Sequence, residues 1–536
     1  MPSLRTAFLV VVGLAGMGMT FHPTLFSGFK RMQPDPGDMV LNHYFLEHTY
    51  RWAFDSSYQY SFWSPGFYYP VPDTFTYSET LIGVAPLYWL FRTIFVEELA
   101  SQLWMLTLCA LNYAAMAIVL RRFGIHTILV AAGAFVFAFG LTRTDHLTHQ
   151  QLLPQFFSPF VVWYVVAFVR EPTARRWIAI IALGTAQLFA SLHLGWFLGF
   201  GLMIFVPWLM FVEHGSFRHV WKFVRHRPIA TIAPVLVAVA LVAPYSRHFY
   251  QGNPDRRVPA EAAAFAPVFD DWIVAAPESL WADHLTPRAK VDSWERTLFQ
   301  GFALYAVYLL AAYAAIRQTF RQHGLVRAGL GTALVMGMLV TWWGFDPSPW
   351  AIVHAIVPGA NAFRAIGRIA FVIHLFGLIA GLIGFQAFVS ARIANPRNQR
   401  IIYLLVAGLM MIEQYRRHPS FDPREQCYGP ARKGAELIRG ADAAHFVYDG
   451  VMHDYQHHIT AMWAGLWADV PVMNGFSGTY PTGYPALKVE PTVAELVRLL
   501  GPNWHGRLVV VEWGPPMRRR VYQVETGGRY SLIESS

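Results

Sequence analysis

A polytopic α-helical membrane protein is the fold class that this 536-residue sequence predicts, and three observations predict it. Apolar residues make up 55% of the chain and charged residues only 14%, against a usual charged share of about 25%. The apolar residues gather into runs whose length suits membrane spans, roughly 17–25 residues. Arg and Lys cluster in the segments between alternate runs, which is how membrane topology is written. The mean hydropathy of +0.33 is high for a globular protein and low for one built only of spanning helices. Part of the chain is therefore expected in water.

The first run, Thr6 to Thr20, follows a short N-terminus carrying only Arg5. Its length also suits a signal-peptide core, but Phe21-His22-Pro23 makes a poor cleavage site, so the run reads as a retained span. Further spans are expected near 102–120, 125–141, 153–169, 177–192, 195–212, 229–244, 299–316, 328–343, 369–390 and 400–414. The basic clusters are Arg121-Arg122; Arg170, Arg175 and Arg176; Arg218, Lys222, Arg225 and Arg227; Arg317, Arg321 and Arg327; and Arg392, Arg397 and Arg400. They occupy alternate connections and are expected on the cytoplasmic side. Parity then allows one crossing between the outer segment 21–79 and Arg121-Arg122. The run 81–96, with Pro86, Arg92 and Glu97-Glu98 at its end, is accordingly read as an interfacial or re-entrant helix. This gives about eleven transmembrane helices, with about twelve as the competing count. The N-terminus is cytoplasmic and the C-terminus outside.

Residues 1–414 thus form the membrane domain, with a first outer loop at 21–80 and a second at 245–298. Hydropathy falls from 415, and 415–536 reads as a small extracytoplasmic α/β domain. Strands are expected at 445–448 and 507–513, with turns at Pro481-Thr482-Gly483 and Gly514-Pro515-Pro516. The net charge of +9 lies in the connections between spans and not in one basic stripe, so nucleic acid is not an expected partner. Cys109 and Cys427 are far apart and supply neither a cysteine metal site nor a redox motif.

Chemistry is concentrated in the outer connections. Pro34-Asp35-Pro36-Gly37-Asp38 follows the first span. A carboxylate held there can take a proton from a hydroxyl or bind a divalent cation, and the same residue types also build a plain turn. His43, Glu47 and His48 share a helical face but lack the two-His zinc spacing, and a hydrogen-bonded surface helix is expected. The aromatics of 63–70, Tyr69 among them, form an interfacial belt or stack on sugar rings; Asp73, Tyr77 and Glu79 follow. Asp145, His146 and His149 lie in the next outer turn, where they gather a cation or hydrogen-bond a polar substrate, and His193 lies in the one after. Arg364 and Arg368 stand four apart where the charge rule disfavours arginine. A helix would set them on one face, suited to phosphate, to snorkelling or to pairing with Asp346.

These residues resemble the GT-C superfamily of membrane glycosyltransferases, in its poorly characterised bacterial branch. The resemblance is carried by the retained first span, the loop opening with Gly37-Asp38, Tyr68-Tyr69-Pro70, Ser78-Glu79, the Asp145/His149 turn and Phe363-Arg364-x-x-x-Arg368. In the tail it is carried by Val472-Met473-Asn474-Gly475-Phe476-Ser477-Gly478 with Pro481 and Tyr484. It implies a transferase moving sugar from a polyprenyl-phosphate donor to a glycan or lipid acceptor on the outer membrane face, while the Arg- and Ala-rich usage points to a bacterial inner membrane. By that resemblance Asp38 is the base, Arg364 and Arg368 hold the departing phosphate, and Asp145, His146, His149, His193, Glu79 and Tyr69 line the substrate pocket. The paired Asp-Glu of protein O-mannosyltransferases and the Trp-Trp-Asp-Tyr-Gly motif of oligosaccharyltransferases are both missing, which points away from protein acceptors. Metal dependence, and with it a divalent cation as cofactor, stays open. The competing readings are a polytopic transporter, which would show repeats and mid-membrane charges, and a non-catalytic assembly factor for an envelope polymer.

Overall fold

The computed structural model describes residues 4–33, 37–213, 215–252, 259–285, 294–317, 320–417, 421–448, 454–484, 491–513 and 517–536. The chain is mostly helical. Its long helices are α1 (Leu4–Phe26), α2 (Asp38–Phe54), α3 (Ala85–Arg92), α4 (Glu97–Arg122), α5 (Thr127–Phe139), α6 (Phe157–Arg170), α7 (Ala174–Ala190), α8 (Leu192–Val212), α9 (Ser216–His226) and α10 (Pro228–Gly252). They continue with α11 (Phe302–Arg317), α12 (His323–Val340), α13 (Pro349–Ile356), α14 (Ala370–Arg392), α15 (Pro396–Ile412), α16 (Arg424–Ile438), α17 (Asp454–Ala468) and α18 (Val493–Leu500).

Among the described residues, eight helical segments are long and apolar enough to cross a membrane: Leu4–Phe26, Glu97–Arg122, Thr127–Thr144, Gln150–Arg170, Leu192–Val212, Pro228–Gln251, His323–Val340 and Ile366–Arg392. The other three expected runs are helices as well, but shorter: α7 and α15 have 17 residues and α11 has 16. The run 81–96 folds as α3, whose eight residues extend only about 12 Å at the α-helical rise. The first span runs on past Thr20, with Phe21 leaving helical geometry just before Pro23, because proline removes a helix donor and crowds the preceding turn.

Packing divides the chain into two compact units. The first comprises 1–26, 104–241 and 256–419. Its centre is α14, which is apolar all round and almost wholly buried, as a helix inside a membrane bundle should be. Small residues let α11 approach it. A Cβ added at Gly384 would lie 2.6 Å from the Ala311 Cβ and 2.9 Å from its Cα, the close backbone approach that drives helix association where no water is displaced.

The second unit comprises 27–103, 242–255 and 420–536, so the first outer loop packs with the tail, whereas hydropathy divides the chain at 414. A four-stranded sheet has the order β3 (Ala443–Val447), β4 (Gly506–Glu512), β5 (Arg518–Val524), β6 (Tyr530–Ser535), and a two-stranded ribbon pairs β1 (Arg31–Met32) with β2 (Asp422–Pro423). The β3–β4 pair is parallel and the rest of the larger sheet is antiparallel. The two expected strands are thus β3 and β4, shifted by a residue or two. The expected turn at 514–516 lies outside the described residues.

The free side of β3 is extended by two irregular segments. Met473 N donates to Ala444 O at 2.8 Å, and Tyr68 N donates to Asn474 O at 3.0 Å. The buried Asn474 amide accepts from Phe446 N at 2.7 Å and donates to Phe446 O at 2.9 Å. The Tyr68-Tyr69 and Val472–Asn474 motifs are therefore neighbours in one sheet.

Two expectations fail here. The helix carrying His43, Glu47 and His48 is not on the surface: all three are buried in α2, because α3, α16 and α17 supply Tyr88, Tyr428 and Trp463 around it. The Glu47 carboxylate accepts from Tyr88 Oη at 2.6 Å, Arg92 Nε at 2.9 Å and Arg51 Nε at 3.2 Å. His43 lies between Tyr428 Oη at 2.6 Å and Tyr88 Oη at 3.2 Å, and burial, with Arg92 nearby, lowers its pKa to about 3. Of the loop aromatics expected in a belt, Phe67 and Tyr68 are instead buried in the hydrophobic core, with Trp63 partly buried against it and Tyr69 against a second cluster.

Candidate active site

The connection between α5 and α6 is built around one buried arginine. Arg143 donates to Phe137 O at 2.9 Å, Leu152 O at 3.0 Å, Leu153 O at 2.9 Å and Gln155 Oε1 at 2.6 Å. Its guanidinium also lies 5.0 Å from the Phe371 ring centroid. With its donors placed on fixed acceptors, the arginine fastens the turn to α14's first residues and holds the segment 145–149 in position.

That segment presents His146 and His149, whose ring centroids are 5.6 Å apart, to a single carboxylate. His146 Nε2 lies 3.6 Å from Glu295 Oε2, and His149 Nε2 lies 3.9 Å from Glu295 Oε1. Arg368 completes the cluster. Its Nη2 donates to Glu295 Oε1 at 2.6 Å and its Nε to the same oxygen at 3.0 Å. His146 is oriented by its other nitrogen, 2.8 Å from Thr142 O, and Thr148 Oγ1 is 3.2 Å from His149 Nδ1.

Burial by itself would raise the Glu295 pKa, but the Arg368 guanidinium and His146 outweigh it and hold the carboxyl well below its usual range. His149 is held well below the usual imidazole range, first by burial and then by Arg368. The cluster thus carries one ionised carboxylate, one arginine fork and a neutral imidazole at ordinary pH. The arginine fork and the imidazoles are donors of the kind that hold an oxyanion, and here that oxyanion is the Glu295 carboxylate.

Asp145 faces a second group. Its Oδ2 accepts from Thr297 Oγ1 at 3.4 Å, and Arg416 Nε is 4.0 Å from Oδ1. Arg416 is engaged elsewhere, by Glu278 and by Thr144 O at 2.8 Å. Burial therefore dominates at Asp145 and raises its pKa to about 6, against the opposing pull of Arg416.

Arg364 and Arg368 are not on one helical face. Phe363 is extended and Ala365 is non-helical, and only Ile366–Ile369 forms a short 3₁₀ turn. Arg368 turns inward to Glu295, not to Asp346, while Arg364 is exposed with its guanidinium 5.5 Å from the Phe265 ring centroid. His193 sits in the first turn of α8, its ring centroid 4.9 Å from that of Phe363.

The remaining expected site residues belong to the second unit. Asp38 opens α2, where the helix dipole favours a carboxylate, and its backbone carbonyl accepts from Asn42 Nδ2 at 2.7 Å. Asp35 lies outside the described residues. Glu79 is buried, and the Tyr69 carbonyl accepts from Tyr484 Oη at 2.5 Å. Among the described residues, no group of three or more His, Cys, Asp or Glu side chains is placed to hold a metal ion.

No family model matches the chain, and no curated protein matches it in sequence. Some solved structures are similar to it over most of its length. The Archaeoglobus fulgidus oligosaccharyltransferase in the apo form is similar at 13% identity and a TM-score of 0.45, over 88% of this chain. The chain spans 64% of that protein's length. ArnT from Cupriavidus metallidurans bound to undecaprenyl phosphate is similar at 12% identity and a TM-score of 0.38, over 95% of this chain and 92% of that one. The same ArnT in the apo state gives 12% identity and a TM-score of 0.36, over 96% of this chain and 93% of that one. Both proteins are GT-C glycosyltransferases.

Glu295, Glu278 and Arg416 escape a reading of the sequence. Glu295 sits in a stretch of mixed acids and bases with no periodicity to single it out, and Arg416 stands beside Arg417 just after the last apolar run. Glu278 and Arg416 meet across 138 residues, and Glu295 meets Arg368 across 73 and the two histidines across about twice that. The usable signal was scarcity: acids are few in this chain, and one in a long outer loop is available to neutralise a buried arginine.

Proposed function

We propose that this protein is a membrane glycosyltransferase that moves a sugar from a polyprenyl-phosphate donor to a glycan or lipid acceptor at the outer face of a bacterial inner membrane. The N-terminus is then cytoplasmic and the sheet-bearing tail extracytoplasmic. The observation that carries the reading is the convergence of Arg368, His146 and His149 on one buried anion. In the resting chain that anion is the Glu295 carboxylate. During turnover Glu295 gives up Arg368, and the released guanidinium with the two imidazoles holds the departing phosphate as negative charge develops on the leaving oxygen.

In this reading Asp38 takes the proton from the acceptor hydroxyl, as the Gly37-Asp38 resemblance implies. Its place in the first turn of α2 is one where the helix dipole favours a carboxylate. Arg364, exposed beside Phe265, reaches for the phosphate from the open side. By the same resemblance Asp145 and His193 in the first unit, and separately Glu79 and Tyr69 in the second, are the candidate sugar and acceptor contacts.

The test is transfer of radiolabelled sugar from a panel of polyprenyl-phosphate donors in membranes containing wild type or Asp38→Asn. Removing a general base is expected to lower the rate by 10²–10⁴-fold, in order of magnitude, with donor binding unchanged. Equal transfer by the variant would refute the role of Asp38. Arg368→Ala in the same assay should weaken donor binding, and its failure to do so would remove the phosphate site.

A further inference from the structure

We infer that α9 is an interfacial helix that binds anionic phospholipid headgroups. The helix reads Ser216-Phe217-Arg218-His219-Val220-Trp221-Lys222-Phe223-Val224-Arg225-His226 and contains no acid. At about 100° per residue its side chains divide into three faces. Ser216 and Phe223 are buried against the bundle, with Phe223 perpendicular to Phe168 of α6 at a centroid separation of 5.3 Å. Phe217 and Trp221 form a second face and are 63% and 58% exposed. Arg218, Lys222 and Arg225 form a third, exposed face. None of these three cations has a carboxylate partner among the described residues.

Chain continuity fixes the depth. The helix before it, α8, is an apolar membrane-length segment ending at Val212, and the one after it begins at Pro228, only Arg227 away. Pro228–Gln251 is also of membrane length, and none of its most apolar stretch is buried, so it faces lipid. A helix tied between two such segments lies at the bilayer boundary. There an exposed Phe-Trp face enters the acyl edge and a flanking row of Arg and Lys meets headgroups. Charge complementarity selects the occupant, because unpaired cations at a surface favour anionic over zwitterionic lipid. Each contributes roughly five-fold in preference. Of the basic residues that end α6 and open α7, Arg170 and Arg176 are paired with Glu213 and Glu171, and the exposed Arg175 adds to the cationic surface that α9 presents.

The test places a spin label at Trp221→Cys in the full chain, in vesicles of phosphatidylcholine alone or with phosphatidylglycerol added. His219→Cys is the solvent reference. Cys109 and Cys427 are buried, and labelling of the unsubstituted chain sets the background. The expected result is a label at 221 relaxed by oxygen more than by a water-soluble nickel complex, moving deeper when phosphatidylglycerol is present. The combined Arg218→Gln, Lys222→Gln, Arg225→Gln variant should lose that shift while keeping its fold by unfolding midpoint. Nickel accessibility at 221 equal to that at 219 would overturn the interfacial placement. Depth that ignores lipid charge would overturn the headgroup specificity. A label shielded from both reagents would mean that a protein surface, such as a second copy, covers the face, and would overturn the proposal as well.

Discussion

Arg368 meets Glu295 through two of its guanidinium nitrogens, Nη2 at 2.6 Å and Nε at 3.0 Å from Oε1, and both side chains are only 11% exposed. A pair so buried stabilises little against an apolar substitute, but breaking it leaves an uncompensated charge. Arg368→Ala is therefore expected to cost about 3–5 kcal/mol in unfolding free energy. Glu295→Gln in the same background should recover much of that loss, since the stranded carboxylate is gone. Unfolding of the two single variants and the double variant in detergent measures the coupling. Additive losses would show that the two residues do not interact.

Asp145 gives the fold a pH dependence of definite sign. Its folded pKa, about 6, lies above its ordinary value of 3.8. Between those values the folded state binds more protons than the unfolded, so stability falls as pH rises through the window and stays reduced above it. Asp145→Asn should remove that fall and gain on the order of 2–3 kcal/mol near neutrality. Glu295 and His149 act in the opposite direction, because depressed folded pKa values cost stability as pH drops. The difference between wild type and variant across pH 4–7 isolates the aspartate. A difference that does not change with pH would contradict the assignment.

Apolar runs were enough to locate the eight membrane-length helices among the described residues, because lipid imposes length and composition on each segment separately. The polar interior was less legible. Asp145, His146 and His149 stood out because they share one short turn, and Arg368 because its sign violates its surroundings. Glu295, their common partner, has no local pattern and becomes part of the cluster only through tertiary packing. The same cause hid α2. A helix with His43, Glu47 and His48 looks like a surface helix until Tyr88, Arg92, Tyr428 and Trp463 arrive from distant segments to satisfy it.

Asn474 joins the tail motif to the sheet by two bonds with the Phe446 backbone, 2.7 Å and 2.9 Å. Asn474→Ala leaves a buried N–H without its acceptor and a buried carbonyl without a donor. Each unsatisfied group costs about 1–3 kcal/mol. The edge segment that pairs with Tyr68 and Tyr69 should loosen first. Hydrogen exchange at Tyr68 and Met473, whose amides donate within this edge, should accelerate well before that of β4 and β5. Uniform acceleration across the sheet would mean that the motif is not a separate edge.

Close approach of α11 and α14 rests on Gly384. An alanine there would bring its Cβ within 2.6 Å of the Ala311 Cβ and 2.9 Å of the Ala311 Cα, so the backbones must separate. Overpacking of this kind costs about 1–3 kcal/mol. Truncating the partner with Ala311→Gly removes the nearer contact and leaves the main-chain one, so rescue should be partial. Unfolding midpoints in detergent for Gly384→Ala with and without Ala311→Gly test the geometry. A Gly384→Ala variant as stable as wild type would show that the two helices are held apart by something other than this contact.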